Sequence, residues 1–241
     1  MEQLVFELAV PEPPSFANFL PGRNAELVDV LAAFVLRGPD TGMLIWGGPG
    51  AGKTHLARAA VALAQEHGLN ARMFTHPCEI DEAALNSVGA SQDQAIAIDG
   101  IDLADEAAAA RLFTLYNLIK ERQGRLIATS RAPLAALPLR EDLRTRLGWG
   151  LVYELLPLDD DAKPAALAVY ARSRGIMLSS EVIDYLLRHG RRDMASLLAT
   201  LAALDRQSLA TKRPITVPLL KTWLQRELEW KPAAIDTSRD A

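Results

Sequence analysis

The chain has 241 residues, of which 49% are hydrophobic and 23% charged, and this is sufficient for one large α/β domain and a smaller second domain. The net charge of −4 argues against non-specific binding of duplex DNA as the main function, because that affinity comes largely from lysine and arginine. The sequence contains no run of about 18 apolar residues and no N-terminal signal peptide, so we expect a cytoplasmic protein without a membrane partner.

Short apolar runs alternate with helical stretches in the first part of the chain. A strand is predicted at each of five runs: Met43–Trp46, Arg72–Thr75, Ala95–Ile98, Leu126–Thr129 and Leu151–Leu155. Strands separated by helices predict an α/β fold with a parallel five-stranded sheet.

From Asp159 onward the pattern is that of amphipathic helices, predicted at residues 160–174, 180–189, 192–209 and 216–229. Ser179 and Thr216 are the expected N-caps. We therefore predict four parts: an N-terminal peptide and tether (1–14), an α/β nucleotide-binding domain (15–158), a small all-helical domain (159–229) and a disordered tail (230–241).

A phosphate-binding loop follows the first predicted strand and leads into a helical pattern that begins at His55. Its residues, in order, are Gly47, Gly48, Pro49, Gly50, Ala51, Gly52, Lys53 and Thr54. They fit the G-x-x-x-x-G-K-[ST] motif in its strand–loop–helix setting, in which backbone N–H groups surround the β-phosphate and the lysine reaches the β and γ oxygens. The threonine hydroxyl can bind Mg²⁺. The alternative is an ordinary glycine-rich turn.

A second candidate ligand of Mg²⁺ is Asp99, directly after the predicted strand Ala95–Ile98. The alternative is a solvated aspartate at the end of a strand. An ATPase of this type usually has an acidic residue next, to polarise the attacking water, and here that residue is Gly100. Asp102 follows further along. The sequence therefore predicts nucleotide binding but not efficient hydrolysis by this chain alone.

Two arginines are candidates for contact with phosphates. Arg146 comes just before the last predicted strand, and Arg192 begins a predicted helix in the second domain. A guanidinium is always charged and has a rigid fork of donors, which suits it to binding phosphoryl oxygens. Solvated surface arginines are the alternative.

The motifs, taken together, resemble those of a known family. The segments that carry the resemblance are Ser15–Phe19, Gly47–Leu56, Asp99, Thr129–Pro133 and Arg146–Gly150. They look like the AAA+ core of the bacterial replication initiator DnaA over roughly residues 15–228. No DNA-binding helix-turn-helix is expected after this core, and this makes the chain similar to the Hda-type paralogues that inactivate DnaA. The resemblance implies an AAA+ P-loop core followed by a small all-helical lid domain.

The resemblance also implies roles for residues at the nucleotide. Lys53, Thr54 and Asp99, with the adjacent loop residues and His55, would bind ADP or ATP with Mg²⁺. Arg192 would be the second sensor in the lid. The first sensor would be Thr129 or Ser130; the family more often has an acidic residue at the Ser130 position.

For Arg146 the resemblance implies a finger that acts in trans on another chain's nucleotide. By the same resemblance the chain would be a negative regulator of replication initiation that promotes hydrolysis of ATP bound to DnaA. The partner would be DnaA, and a homo-oligomer of this chain is left open. No sequence-specific binding of duplex DNA is expected.

The N-terminal residues Gln3, Leu4, Phe6 and Leu8 are similar to peptides that dock on the bacterial sliding clamp, the β subunit of DNA polymerase III. Polar groups of the clamp would hold the glutamine, and the three apolar side chains would be anchors. The alternative is an edge strand packed on the core, since alternating apolar residues are common in strands.

Two other functions remain open. One is a self-contained AAA+ ATPase motor such as a helicase loader, against which Gly100 argues. The other is a replication factor that recognises DNA sites directly, which the acidic charge disfavours.

Overall fold

The computed structural model describes residues 13–90, 94–191, 193–211 and 213–229. The apolar runs form strands β1 (Gly42–Trp46), β2 (Asn70–Phe74), β3 (Gln94–Ile98), β4 (Arg125–Ser130) and β5 (Leu151–Glu154). Helices α1 (Ala25–Arg37), α2 (Lys53–Glu66), α3 (Glu82–Ala90), α4 (Glu106–Glu121) and α5 (Glu141–Gly148) precede or connect them.

The strands form one sheet in the order β2-β3-β4-β1-β5, and every neighbouring pair is parallel. The predicted five-stranded parallel sheet is therefore confirmed. Its order places β1 and β3 on either side of β4, with their carboxyl ends at the same edge of the sheet.

Both faces of the sheet are covered by helices. Since successive side chains of a strand point to opposite faces, a strand can contribute side chains to two apolar clusters. In β3, Ile96 and Ile98 belong to the apolar cluster with α3, α4 and α5, whereas Ala95 and Ala97 belong to the cluster with α1 and α2. All four side chains are buried. A strand buried on both faces reads as a continuous apolar run, and this is why the sequence pattern was a clear signal.

The observed strand ends differ from the predicted ones by small amounts that have local causes. β2 was predicted to include Thr75 but ends at Phe74, because the Thr75 backbone N–H donates to the Glu79 carboxylate at 2.8 Å. β2 also begins earlier than predicted, since its pairing with β3 extends to Asn70 opposite Gln94. Polar residues at this end hid the pairing from the sequence pattern.

The C-terminal part of the described chain is all-helical, as predicted, with α6 (Lys163–Ser173), α7 (Ser180–His189), α8 (Met194–Thr211) and α9 (Val217–Glu229). Six of its buried side chains are leucines: Leu167, Leu186, Leu197, Leu201, Leu204 and Leu220. Ser179 precedes α7 as predicted, but its side chain makes no capping hydrogen bond. α6 begins later than predicted because Asp160–Ala162 forms a 3₁₀ turn.

The chain forms two compact units, one reaching Lys163 and including Asp193–Ala195, and the other comprising most of the chain from Pro164 onward. The first contains the sheet, and the second contains most of the C-terminal helices. None of the helices within the described residues is both long and apolar enough to cross a membrane.

A buried asparagine joins the start of α1 to the chain after β5. The Asn24 side-chain amide donates to the carbonyl oxygens of Pro21 and Leu156 at 3.1 and 3.0 Å. Its Oδ1 accepts from the Leu156 backbone N–H at 2.9 Å. These bonds satisfy both the backbone N–H and the carbonyl of Leu156, which in a sheet a neighbouring strand would do.

Replacing Asn24 with Ala should lower the free energy of unfolding by about 2 kcal/mol, because the Leu156 N–H and C=O lose their partner. Urea unfolding followed by circular dichroism measures the change. Asp29→Ala, at an exposed position of α1, is the control and should change stability by less than about 0.5 kcal/mol. Equal stability of the two variants would contradict this account of Asn24.

Candidate functional site

The phosphate-binding loop connects β1 to α2, as predicted, and its glycines fill conformational and steric needs. Gly50 and Gly52 have φ of 74° and 107°, in the left-handed region that favours glycine. Gly47 lies so close to the Leu155 carbonyl that a Cβ at this position would clash with it. By contrast, a Cβ on Gly48 would meet nothing within 4 Å. The spacing of the motif therefore reflects backbone geometry at three of its four glycines.

Lys53 begins α2 and folds back over the loop. Its Nζ donates to the carbonyl oxygens of Gly47 and Gly48, both at 2.8 Å. Burial lowers the pKa of Lys53 below its ordinary value of 10.5, and the nearby carboxylates of Asp99 and Asp102 act in the opposite direction. The ammonium group thus stands at the N-terminus of a helix, where the backbone dipole also favours an anion.

The two predicted ligands of Mg²⁺ are in direct contact. The Thr54 hydroxyl donates to Asp99 Oδ2 at 2.6 Å. The Thr129 hydroxyl donates to Asp99 Oδ1 and accepts from the Gly100 backbone N–H at 2.9 Å. Hydroxyl and carboxylate oxygens are the hard donors that Mg²⁺ prefers, together with phosphate oxygens and water. The donor set therefore fits a nucleotide-bound Mg²⁺.

Of the two candidates for the first sensor, only Thr129 contacts Asp99. The Ser130 hydroxyl donates to the Ala132 carbonyl at 2.6 Å, within its own turn, and the side chain is fully buried. The Ser130 carbonyl accepts from the Gly47 N–H at 3.1 Å, so this residue supports the loop through its backbone. The geometry therefore favours Thr129 over Ser130 as the first sensor, because of the two only the Thr129 side chain contacts Asp99.

The position after Asp99 is occupied by a glycine with φ of 67°. The nearest acidic side chain further along, Asp102, is bound by Arg131. The Arg131 backbone N–H donates to Asp102 Oδ1 at 3.0 Å, and Nε donates to Oδ2 at 2.9 Å. Both oxygens of this carboxylate are engaged and only 11% of the side chain is exposed, so Asp102 is poorly placed to accept a proton from water.

His55 joins the loop to the segment before α1. Its Nε2 lies 3.0 Å from the Ser15 carbonyl oxygen, which can only accept, so Nε2 carries the hydrogen. The Phe19 ring packs on His55 at 5.4 Å between centroids and also lies against Gly52, where a Cβ would come within 2.8 Å of it. Burial lowers the pKa of His55, with the Ser15 carbonyl opposing the shift. The sequence did not indicate that Phe19 covers the loop.

Arg146 lies near the end of α5, at the edge of the sheet opposite the phosphate loop. α5 is followed by Gly150, which is in close backbone contact with Gly42 at the amino end of β1, whereas the loop begins after the carboxyl end of β1. A strand of five residues is about 13 Å long. The arginine and the loop of one chain therefore do not meet.

The Arg146 side chain is half-buried and has several partners. Nη1 donates to Asn117 Oδ1 at 2.6 Å. The centre of the guanidinium lies 4.6 Å from the Phe113 ring and 5.7 Å from the Trp149 ring. The Trp149 side chain is itself exposed, and the two residues line one side of an open cavity.

Five further predicted site residues lie outside the described residues. They are Gln3, Leu4, Phe6 and Leu8 of the N-terminal peptide and Arg192 at the start of the predicted lid helix.

A phosphate loop between β1 and α2, an aspartate at the end of β3 that contacts the loop threonine, and a helical second unit define a nucleotide-binding protein of the AAA+ class. The model for the bacterial DnaA ATPase domain matches residues 12–154, and that for the Hda lid domain matches residues 160–224. The chain therefore belongs to the DnaA-related AAA+ family and is of the Hda type. The resemblance inferred from the motifs is confirmed.

Solved structures show the same fold. Domain III of the Thermotoga maritima replication initiation protein DnaA is similar with a TM-score of 0.77 and 18% identity, covering 88% of this chain and 95% of that one. AMPPCP-bound DnaA from Aquifex aeolicus has a TM-score of 0.72 and 18% identity, and the match covers 91% of this chain and 71% of that one. The Thermotoga maritima RuvB Holliday junction branch migration motor has a TM-score of 0.67 and 17% identity, and the match covers 89% of this chain and 72% of that one.

Family membership supports nucleotide binding and a part in DnaA-related control of replication. The likeness to RuvB shows that the fold alone does not separate a regulator from a motor.

The packing of His55 predicts a pH dependence of stability. Because its pKa lies below the ordinary value of 6.5 in the folded protein, the unfolded chain takes up a proton first as the pH falls through about 6.5, and stability is lost. Above that pH the contribution is fully present. His55→Gln keeps a donor toward Ser15 but does not titrate, so its free energy of unfolding should fall less between about pH 7.5 and 5. Parallel curves for wild type and variant in urea unfolding would contradict this.

Proposed function

We propose that this protein is a negative regulator of chromosomal replication initiation, which promotes hydrolysis of the ATP bound to DnaA by supplying Arg146 in trans. The observation that carries the proposal is the position of Arg146 at the edge of the sheet opposite its own phosphate loop; strand β1, about 13 Å long, separates the two edges. An arginine so placed is of no use to the chain's own nucleotide. It is available to a nucleotide on a neighbouring chain.

The chemistry of the side chain agrees with this use. Arg146 is half-buried and lines an open cavity beside the exposed Trp149, so a partner can reach it. In phosphoryl transfer, an arginine supplied by another chain offsets the charge that develops on the transferred group and contributes about 10³- to 10⁵-fold in rate. The same face would serve a homo-oligomer if the second chain were another copy.

The chain's own nucleotide has a different role in this proposal. Lys53, Thr54 and Asp99 would hold ADP or ATP with Mg²⁺, and Arg192 would report from the lid. Position 100 is a glycine and Arg131 engages both oxygens of Asp102, so neither of these two positions supplies an acid ready to activate water. Bound nucleotide would therefore act by favouring one arrangement of the protein over another, and not as a substrate that is turned over.

Docking on the sliding clamp through the N-terminal peptide would bring the regulator to DNA that carries the clamp. The peptide contains Gln3, Leu4, Phe6 and Leu8, and the chain is anchored to the core shortly afterwards, where the Ser15 carbonyl contacts His55. Tethering of this kind raises the local concentration of Arg146 near DnaA without any new contact.

The main alternative is a self-contained ATPase motor such as a helicase loader. The structural likeness to RuvB permits it, but the geometry around Gly100 and Asp102 argues against rapid hydrolysis by this chain. Turnover by the protein alone separates the two functions.

Arg146→Ala should lower the stimulation of ATP hydrolysis by DnaA, measured with clamp loaded on DNA, by at least about 100-fold. Arg144→Ala is the matched control, because Arg144 lies on the same helix and contacts only the Ala135 carbonyl, at 3.3 Å, among the bonds described. It should retain the wild-type rate within about 2-fold. Normal stimulation by Arg146→Ala would refute the proposal, and rapid turnover by the wild-type protein without DnaA would favour the motor.

A second prediction concerns the N-terminal peptide. The double variant Gln3→Ala, Phe6→Ala should weaken binding to the clamp by more than about 10-fold, because it removes the polar contact and a central apolar anchor. Fluorescence anisotropy with labelled clamp measures the affinity. Val5→Ala is the control in the same segment and should keep the wild-type affinity. Without clamp, the double variant should stimulate DnaA as the wild type does. If the variant keeps its clamp affinity but loses stability, the segment is an edge strand of the core instead.

A further inference from the structure

The guanidinium of Arg146 is held by side chains of a neighbouring helix. Phe113 and Asn117 are separated by one turn of α4 and so lie on the same face of it. Asn117 Oδ1 accepts from Nη1 of Arg146 at 2.6 Å, and the Phe113 ring lies 4.6 Å from the centre of the guanidinium. An arginine side chain has many rotamers in solution, and these two contacts select one of them.

The acceptor that holds Arg146 is neutral. Within the part of the chain that the structure describes, the ion pairs join Arg23 to Asp159, Arg131 to Asp102, Arg140 to Asp142 and Lys163 to Asp160, and none includes Arg146. A carboxylate partner would offset the positive charge, whereas an amide oxygen orients the guanidinium and leaves its charge for another group. Lys120, which lies 5.1 Å from the exposed Trp149 ring, adds a second cation on the same side.

The burial of α4 and α5 in the core does not depend on this hydrogen bond. Leu112 and Leu115 of α4 and Leu143 and Leu147 of α5 are all at most 1% exposed and belong to one apolar cluster. Asn117 is only half-buried. Its contact with Arg146 is therefore an addition to a complete core.

We propose that Asn117, supported by the Phe113 ring, is a positioning residue that sets the Arg146 guanidinium for contact with the phosphates of a nucleotide on a partner chain. The inference rests on the function proposed above for Arg146. In this role Asn117 acts through Arg146 and not by touching the nucleotide or DnaA. A small displacement of a charged group that must meet a transition state is costly, since a shift of about 1 Å can lower the rate about 100-fold.

The test uses the full-length chain with clamp loaded on DNA and ATP–DnaA, and titrates each variant to saturation. Asn117→Ala should lower the maximal rate by about 10-fold or more while leaving the concentration for half-maximal stimulation within about 2-fold of wild type. Asn117→Asp keeps an acceptor of the same size, which orients the guanidinium, but its charge offsets that of Arg146, so it should recover only part of that rate. Thr114→Ala is the control on α4, because Thr114 is exposed and its hydroxyl donates only within the helix, to the Ala110 carbonyl at 3.2 Å.

A second measurement reports on the guanidinium directly. In ¹⁵N NMR spectra of the protein without DnaA, the Nη hydrogens of Arg146 should exchange slowly in wild type and in Asn117→Asp, and rapidly in Asn117→Ala. The signals are assigned by their loss in Arg146→Lys. Circular dichroism and urea unfolding establish that each variant is folded.

The outcomes separate the two proposals. If Arg146→Ala is inactive and Asn117→Ala has the full maximal rate, the positioning role is wrong and the finger stands. If Asn117→Ala changes only the half-maximal concentration, or if the double variant with Arg146→Ala is worse than Arg146→Ala alone, Asn117 acts in docking and the inference is overturned. If Arg146→Ala stimulates normally, both proposals fail.

Discussion

All five strands run in the same direction, so the sheet has one edge made of carboxyl ends and one made of amino ends. The phosphate loop, Asp99 and Thr129 come at or after the carboxyl ends of β1, β3 and β4 and therefore meet. Helices that return the chain to the next strand end at the other edge, and Arg146 lies there. The direction of the strands thus assigns the nucleotide and the arginine to opposite sides of one domain, and a chain built in this way can act on a neighbour more easily than on itself.

The side chains of the nucleotide site favour binding of a nucleotide more than its hydrolysis. Lys53 and the N-terminus of α2 provide positive charge, while Asp99 has hydrogen bonds to both of its oxygens from threonine hydroxyl groups. Asp102 is in an ion pair with Arg131, which is partly exposed and so contributes little to stability. The effect of this pair is chemical, since Arg131 already engages both oxygens of the Asp102 carboxylate. Binding and catalysis are separable in such a site, and the regulatory role proposed for the bound nucleotide needs only binding.

Arg146 differs from the arginines of the sheet domain that form ion pairs. Arg131 and Arg140 have carboxylate partners, whereas Arg146 is held by an amide oxygen and an aromatic ring. Contacts of the second kind restrict the side chain and still leave its charge uncompensated. Because the guanidinium is already ordered, it loses less conformational entropy when it binds a phosphate. Because no carboxylate of the described residues neutralises it, its charge is available to the phosphate, and such a group is called preorganised.

The sequence by itself determined the features that depend on local spacing. Periodic or contiguous patterns of residues indicated the phosphate loop with Lys53 and Thr54, the buried strands, and the change to helices after Asp159. The structure has the predicted sheet and the all-helical unit. Only the tertiary structure decided that Thr129 and not Ser130 contacts Asp99, that Arg131 engages Asp102, and that Asn117 holds Arg146. Each of these contacts joins residues about 30 positions apart on different elements. Their formation depends on the order of the strands and on which way each turn directs a side chain, and neither is encoded in the spacing of residues along a single element.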